Sequence, residues 1–100
     1  MSFYSISDIK VHDWDKYQEY VGKVRSIVES YGGRYHVRGG EITVNAGDWK
    51  PNRLIIIEFP SKEKMAAFQP VAAIRKSASE LISSIVVEGF DGETNNIPTS

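Results

Sequence analysis

The stretch Trp14-Asp15-Lys16-Tyr17-Gln18-Glu19-Tyr20-Val21-Gly22-Lys23-Val24-Arg25-Ser26-Ile27-Val28-Glu29-Ser30-Tyr31-Gly32-Gly33-Arg34-Tyr35-His36-Val37-Arg38 changes period once, at its glycine pair. Before the pair, Trp14, Tyr17, Val21, Val24, Val28 and Tyr31 recur in steps of three and four. That spacing puts them on one face of an α-helix, and we read the stripe as core. Lys16, Glu19, Lys23 and Ser30 lie away from it, and Glu19 precedes Lys23 by four residues, the favourable order for an ion pair. Asp13 stands where an N-cap carboxylate would accept from a free backbone N–H. Gly32-Gly33 ends the helix, because glycine adopts the left-handed closing conformation without a Cβ penalty. After the pair, Arg34–Arg38 alternates as a strand does.

Working outward, Phe3–Ile9 reads as a first strand. Gly39-Gly40 is a turn, Ile42-Thr43-Val44 a short extended piece, and Ala46–Asn52, with Gly47, Asp48 and Pro51, a loop. Arg53–Phe59 is almost continuously apolar, as in a strand covered on both faces. Ser61 caps a second helix containing Met65, Ala66 and Phe68. Pro70 interrupts that helix and is read as the first position of a continuing helix over Val71–Glu80. Ile82–Gly89 is the last strand. The order β-α-β-β-α-β predicts an α+β, ferredoxin-like domain over residues 1–90: a four-stranded antiparallel sheet with two helices on one face. Residues 91–100 read as a polar C-terminal tail.

The bulk composition narrows the function classes. One hundred residues suit one domain. Twelve basic residues against thirteen acidic ones give a net charge of −1, which argues against a nucleic-acid partner. The longest apolar run, Leu54-Ile55-Ile56-Ile57, falls far short of the roughly 20 residues of a membrane span. The N-terminus lacks the pattern of a secretion signal. Cysteine is absent, which removes disulfides, thiolate chemistry and Cys-ligated metal centres and fits a cytoplasmic protein.

Strand alternation assigns faces. On the third strand Ile55, Ile57 and Phe59 share one side, and Leu54, Ile56 and Glu58 the other. On the second, Tyr35 and Val37 oppose Arg34, His36 and Arg38. The purely apolar sides go to the helix-covered core. The second face then carries Leu54 and Ile56 beside His36, Arg38 and Glu58, with Ser84, Val86 and Glu88 joining from the last strand. That face is too apolar to lie bare, and a two-fold homodimer is the commonest cover. A monomer whose tail covers the sheet is the alternative.

Few residues point to chemistry. His12 reads as a solvated loop residue. His36 stands between two arginines on one strand side, and structural packing is the commoner role for such a histidine. No acid or second histidine stands at metal-ligand spacing, so neither metal nor cofactor is expected. Glu58 and Glu88 face Arg38 or Arg75 across the sheet, either as ion pairs or as a seat for a small anionic or carbonyl ligand. Trp49 closes over such a site or anchors a dimer contact. The candidate ligand-binding residues are His36, Arg38, Trp49 and Glu58. No residue is assigned a catalytic step.

Tyr31-Gly32-Gly33-Arg34-Tyr35, Val37-Arg38-Gly39-Gly40, Gly47-Asp48-Trp49 with Pro51 and Arg53, Glu58-Phe59-Pro60-Ser61, Arg75 and Val87-Glu88-Gly89 form an ordered series. As a set it resembles a family of short bacterial proteins known as a domain of unknown function, within the dimeric α/β-barrel superfamily. The resemblance runs from about Phe3 to Phe90. It implies a ferredoxin-like protomer whose sheets pair face to face in a dimer, and a pocket for an organic molecule between sheet and helices. The superfamily includes cofactor-free monooxygenases, haem-degrading enzymes and isomerases, so the resemblance names no reaction. This chain departs from the family pattern at Ala46, where an acid usually precedes Gly-Asp-Trp. It departs again at Phe68, where tryptophan is usual, and at Gln69-Pro70, where a turn looks deleted.

Two functions follow as expectations. The first is a small-molecule-binding dimer of cofactor-independent monooxygenase or isomerase type. The second is a non-catalytic homo-oligomeric interaction module.

Overall fold

The computed structural model describes residues 2–90, apart from the side chains of residues 72–74. Strand β1 (Phe3–Val11) leads to helix α1 (Trp14–Ser30), then β2 (Arg34–Arg38) and β3 (Leu54–Phe59). Helix α2 (Lys62–Ala72), a 3-10 turn (Ala73–Ser77) and β4 (Ser79–Glu88) complete the order. The sheet is antiparallel in the order β2-β3-β1-β4. This is the ferredoxin-like α+β arrangement expected from the sequence. The polar segment 91–100 lies outside the described residues.

The helix boundaries follow from local chemistry. The Asp13 carboxylate accepts from the Lys16 backbone N–H at 3.1 Å, and the Ser61 hydroxyl accepts from that of Lys64 at 3.1 Å. Each satisfies a donor left free in a first helical turn. At the other end of α1, Gly32 takes φ +76°, and its N–H and that of Gly33 return to the Glu29 and Val28 carbonyls. Glycine makes that reversal possible.

Pro70 corrects the sequence reading. It lies inside α2, and no second helix starts from it. The missing N–H falls in the last turns, where the helix is already ending. The chain tightens into the 3-10 turn and enters β4 at Ser79, three residues before the expected start. The Ala78 carbonyl accepts from His12 and Asp13, which ties this turn to the β1–α1 junction.

The core lies between the sheet and the two helices. It joins Tyr17, Val24 and Val28 of α1 to Met65 and Phe68 of α2 and to Ile9, Ile55, Ile57 and Phe59 of the sheet. Trp14 departs from the expected stripe. It sits at the open N-terminal end of α1 and is 55% exposed, edge-on to Tyr17 and beneath the Arg53 guanidinium. Phe59 is fully buried, and its ring contacts that of Phe68 at a 5.4 Å centroid separation. A Cβ at Gly33 would stand 2.7 Å from Val28 Cγ1 and 2.9 Å from Phe59 Cε1, so only glycine fits between α1 and β3 there.

Phe59→Ala is therefore expected to cost about 3–5 kcal/mol in urea unfolding, the usual cost of emptying a buried aromatic site. Gly33→Ala should also lower the midpoint. Gly40→Ala, with nothing within 4 Å of the added methyl, should leave it unchanged. Equal midpoints for Gly33→Ala and Gly40→Ala would contradict this packing.

Candidate functional site

Two irregularities in the sheet decide which side chains meet. Across β2 and β3 the pairs are Arg34–Glu58 and Tyr35–Ile57, then Val37–Ile56 and Arg38–Ile55. His36 has no counterpart, so it is the extra residue of a β-bulge. A one-residue insertion exchanges the faces of everything beyond it. Val37 therefore lies with His36 and Ile56 on the open face, while Arg38 joins Tyr35 and Ile55 on the helix side. The Arg38 guanidinium stands 5.2 Å from the Tyr35 ring centre. The expected grouping of Arg38 with His36 and Glu58 does not form, because strict alternation does not survive the bulge.

A second shift separates Asp8–Ser83 from Ile9–Leu81 and leaves Ile82 unmatched. It brings Leu81 to the helix side beside Ile9. Ser84 and Val86 pair with Ser7 and Ser5, which face the helices, and not with the open face as expected. The open face receives Ile85 and Val87 instead, opposite Ile6 and Tyr4.

The helix side holds a cleft of about 50 Å³. Its floor includes Ser5 and Ser7 of β1, Ser84 of β4, and Tyr35 and Arg38 of β2. Its roof includes Tyr17, Tyr20 and Val24 of α1, with Phe68 and Gln69 of α2 and Arg75 of the 3-10 turn. The physical origin of the space is local. Serine fills core-facing strand positions where larger apolar residues would close the gap. Ser7 and Ser84 approach to 3.3 Å between hydroxyls, and the Tyr17 hydroxyl accepts from Arg53 Nε at 3.3 Å. The Tyr20 and Tyr35 hydroxyls make no protein hydrogen bond among the described residues. Burial pushes the phenols of Tyr20 and Tyr35 up; Tyr35 adds to the rise at Tyr20, and Tyr17 to both. Arg75 partly offsets the shift at Tyr20, and Arg38 that at Tyr35. Both phenols are protonated at neutral pH and stand ready as donors.

The opposite face carries a polar cluster at one end. His36 Nε2 lies 2.6 Å from Glu58 Oε1, the Ser2 hydroxyl donates to Oε2, and Arg34 Nη2 is 3.8 Å from Oε1. The Tyr4 ring is tilted against the imidazole at 5.4 Å. The hydrogen bond from Ser2 and that from His36 hold the Glu58 carboxyl below its usual range. Of the four residues singled out from sequence, the fold unites His36 and Glu58, sends Arg38 to the other face, and leaves Trp49 62% exposed on the β2–β3 loop.

Neither histidine lines the cleft. Among the described residues no group of three or more His, Asp or Glu side chains could hold a metal ion. No helix among them is long and apolar enough to cross a membrane.

The comparisons with known proteins bear on the whole domain. A family model described as a domain of unknown function, DUF1330, matches residues 2–90. The chain belongs to this family. A search of the curated proteins finds no match. Among solved structures, the crystal structure of HapK from Hahella chejuensis is similar with a TM-score of 0.59 at 15% identity, covering 96% of this chain and 99% of HapK. That likeness shows the fold alone.

Sequence reasoning missed the serines, Tyr20 and Gln69 as lining residues, named Arg75 only opposite Glu58 or Glu88, and assigned Tyr17 and Tyr35 to core alone. A signal was present: Ser5 and Ser7 sit two apart in β1, at the parity of Phe3.

The buried phenols give a pH signature. The unfolded chain releases its tyrosine protons near pH 10, whereas the folded chain holds those of Tyr20 and Tyr35 to higher pH. The folded state then binds more protons, so stability should fall as pH rises past about 10. Ultraviolet titration should show the Tyr20 and Tyr35 phenols ionising late. Ionisation of both near the free value would contradict the cleft. On the acid side, Glu58 is depressed below 4.5, so its contribution is present above that pH and is lost as pH falls through the lower folded value. Glu58→Gln should flatten the acid limb of the stability curve.

Proposed function

We propose that this protein is a cytoplasmic homodimer that binds a small organic molecule in the cleft between its sheet and its helices. The observation that carries this reading is a pair of cleft-lining hydroxyls, those of Tyr20 and Tyr35, which make no hydrogen bond to protein among the described residues. These two hydroxyls are open to the cleft, where water or a ligand takes up their hydrogen-bonding capacity. Arg38 belongs to this site. His36 and Glu58, on the other face, belong to the subunit contact, and Trp49 is a further anchor for the partner.

The dimer reading rests on the open face. Tyr4, Ile6, Val37, Leu54 and Ile56 lie half-buried there, and Ile85 and Val87 are exposed. β4 is exposed on its helix side as well, through Val86, because the helices stop short of this edge. A second copy covers such a surface at the least cost in symmetry.

Binding ranks ahead of general-base catalysis. The cleft offers phenols with raised pKa, which donate hydrogen bonds at neutral pH but do not accept protons. Cofactor-independent oxidoreductase or isomerase chemistry would need the ligand to bring its own acidity. The second reading, an assembly module, is favoured by one number: about 50 Å³ is well below the roughly 300 Å³ of an ordinary ligand site. The bound molecule then inserts one end only, or the module binds nothing.

Native mass spectrometry separates these readings. The binding reading expects twice the 11.2 kDa chain mass plus a non-covalent mass, which is lost in Ser7→Val, a variant that narrows the cleft from its floor. A dimer without added mass, and no fragment shifting cleft resonances, would favour the assembly module. A monomer would overturn the reading of the open face.

A further inference from the structure

The cleft lining has a charge bias. Two guanidinium groups, Arg38 and Arg75, line it, and among the described residues that do so there is no carboxylate. They come from opposite edges of the sheet. Arg38 ends β2 at one edge, and Arg75 lies in the turn leading to β4 at the other. Between them stand Tyr35 and Tyr20, one on the floor and one in the roof. Tyr35 lies within the field of Arg38, and Tyr20 within those of Arg75 and Tyr35.

Arg38 is the better defined of the two cations. Its guanidinium lies against the Tyr35 ring, and its carbonyl accepts from Arg53 Nη2 at 3.3 Å, which fixes the strand end. No carboxylate pairs with its side chain among the described residues. The acid on the adjacent helix surface, Glu29, is engaged by Arg25 at 3.4 Å. An arginine that neighbouring acids leave unclaimed, beside a lining rich in donors, favours an anion. Guanidinium and carboxylate match in plane and charge.

We infer that the cleft selects an organic anion, whose carboxylate (or an enolate of similar geometry) is held by Arg38, with the Tyr35 and Tyr20 hydroxyls donating to it. This inference rests on the cleft being the ligand site, and adds the chemical class of what it takes. The small volume suits it, because a carboxylate with a few carbons fills the inner end while the rest of the ligand points outward. Phe68, Val24 and Ile57 then meet the apolar part.

The test uses the full-length protein and a small series of probes followed by NMR titration: acetate, pyruvate and benzoate, each beside its neutral amide. The carboxylates are expected to shift the Tyr20, Tyr35 and Val24 signals and to bind at least about tenfold more tightly than the amides. Arg38→Gln should abolish that difference. Arg38→Lys, which keeps the charge and loses the planar fork, should retain part of it. Amides binding in the cleft as tightly as carboxylates would overturn the anion inference and leave the cleft reading standing. Shifts confined to Arg25, Glu29 and Arg34, which line a separate groove on the outer side of Arg38, would overturn it too. If neither series shifts the cleft signals, both this inference and the cleft reading fail.

Discussion

The β-bulge at His36 is the constraint on which the arrangement of this molecule depends. Without it, strict alternation would put Arg38 beside Glu58 on the open face and leave the helix-side cleft with one guanidinium fewer. With it, one inserted residue exchanges the faces of Val37 and Arg38. The open face gains an apolar side chain, and the cleft gains a cation. The His36–Glu58 hydrogen bond lies at the bulge itself and joins the irregular residue to the neighbouring strand. Beyond the bulge, Arg53 continues the fixing. It lies over Tyr17 and Trp14 and reaches the Arg38 carbonyl, and the glycine at 39, with φ +75°, leaves room for its guanidinium.

The cleft is a consequence of small residues under large ones. Ser5, Ser7 and Ser84 occupy the floor beneath Tyr17 and Tyr20. Larger aliphatic side chains there would close the gap and strand the phenols. The core is closed at Phe59 and Val28, near one end. Tyr17, Val24, Ile55, Ile57 and Phe68 belong to the core and line the cleft as well, so one layer carries both.

The fold was legible because its signals are local. The six-residue stripe of α1, the Gly32-Gly33 stop, and the caps at Asp13 and Ser61 each act within a turn or two of chain. The second helical region was less so. Pro70 breaks a periodic pattern, and whether a helix resumes after it depends on where β4 must begin to pair with Val11. Face assignment failed where register mattered. A bulge is set by the partner strand as well as by the residue that bulges, and nothing local in Arg34–Arg38 announces it. The union of His36 and Glu58 was legible because both stand on the near side of the irregularity. Arg38 stands beyond it. Trp49 was singled out within Gly47-Asp48-Trp49; it stands 62% exposed, and no ring or cation contact among the described residues decides its role.

The family match and the likeness to HapK fix the fold and leave the chemistry to the side chains. Those side chains divide by face: an apolar sheet surface with a histidine–glutamate corner on one side, and a phenol- and guanidinium-lined cleft on the other. The division stands or falls with the phase of β2. A nuclear Overhauser spectrum of the uniformly labelled protein tests it directly. The account requires contacts from the Arg38 side chain to the Tyr35 ring and Ile55, and from Val37 to Ile56. Contacts from Arg38 to Leu54 or Ile56, with Val37 touching Ile55, would mean that β2 runs without a bulge and that the cleft described above is not the one the protein forms.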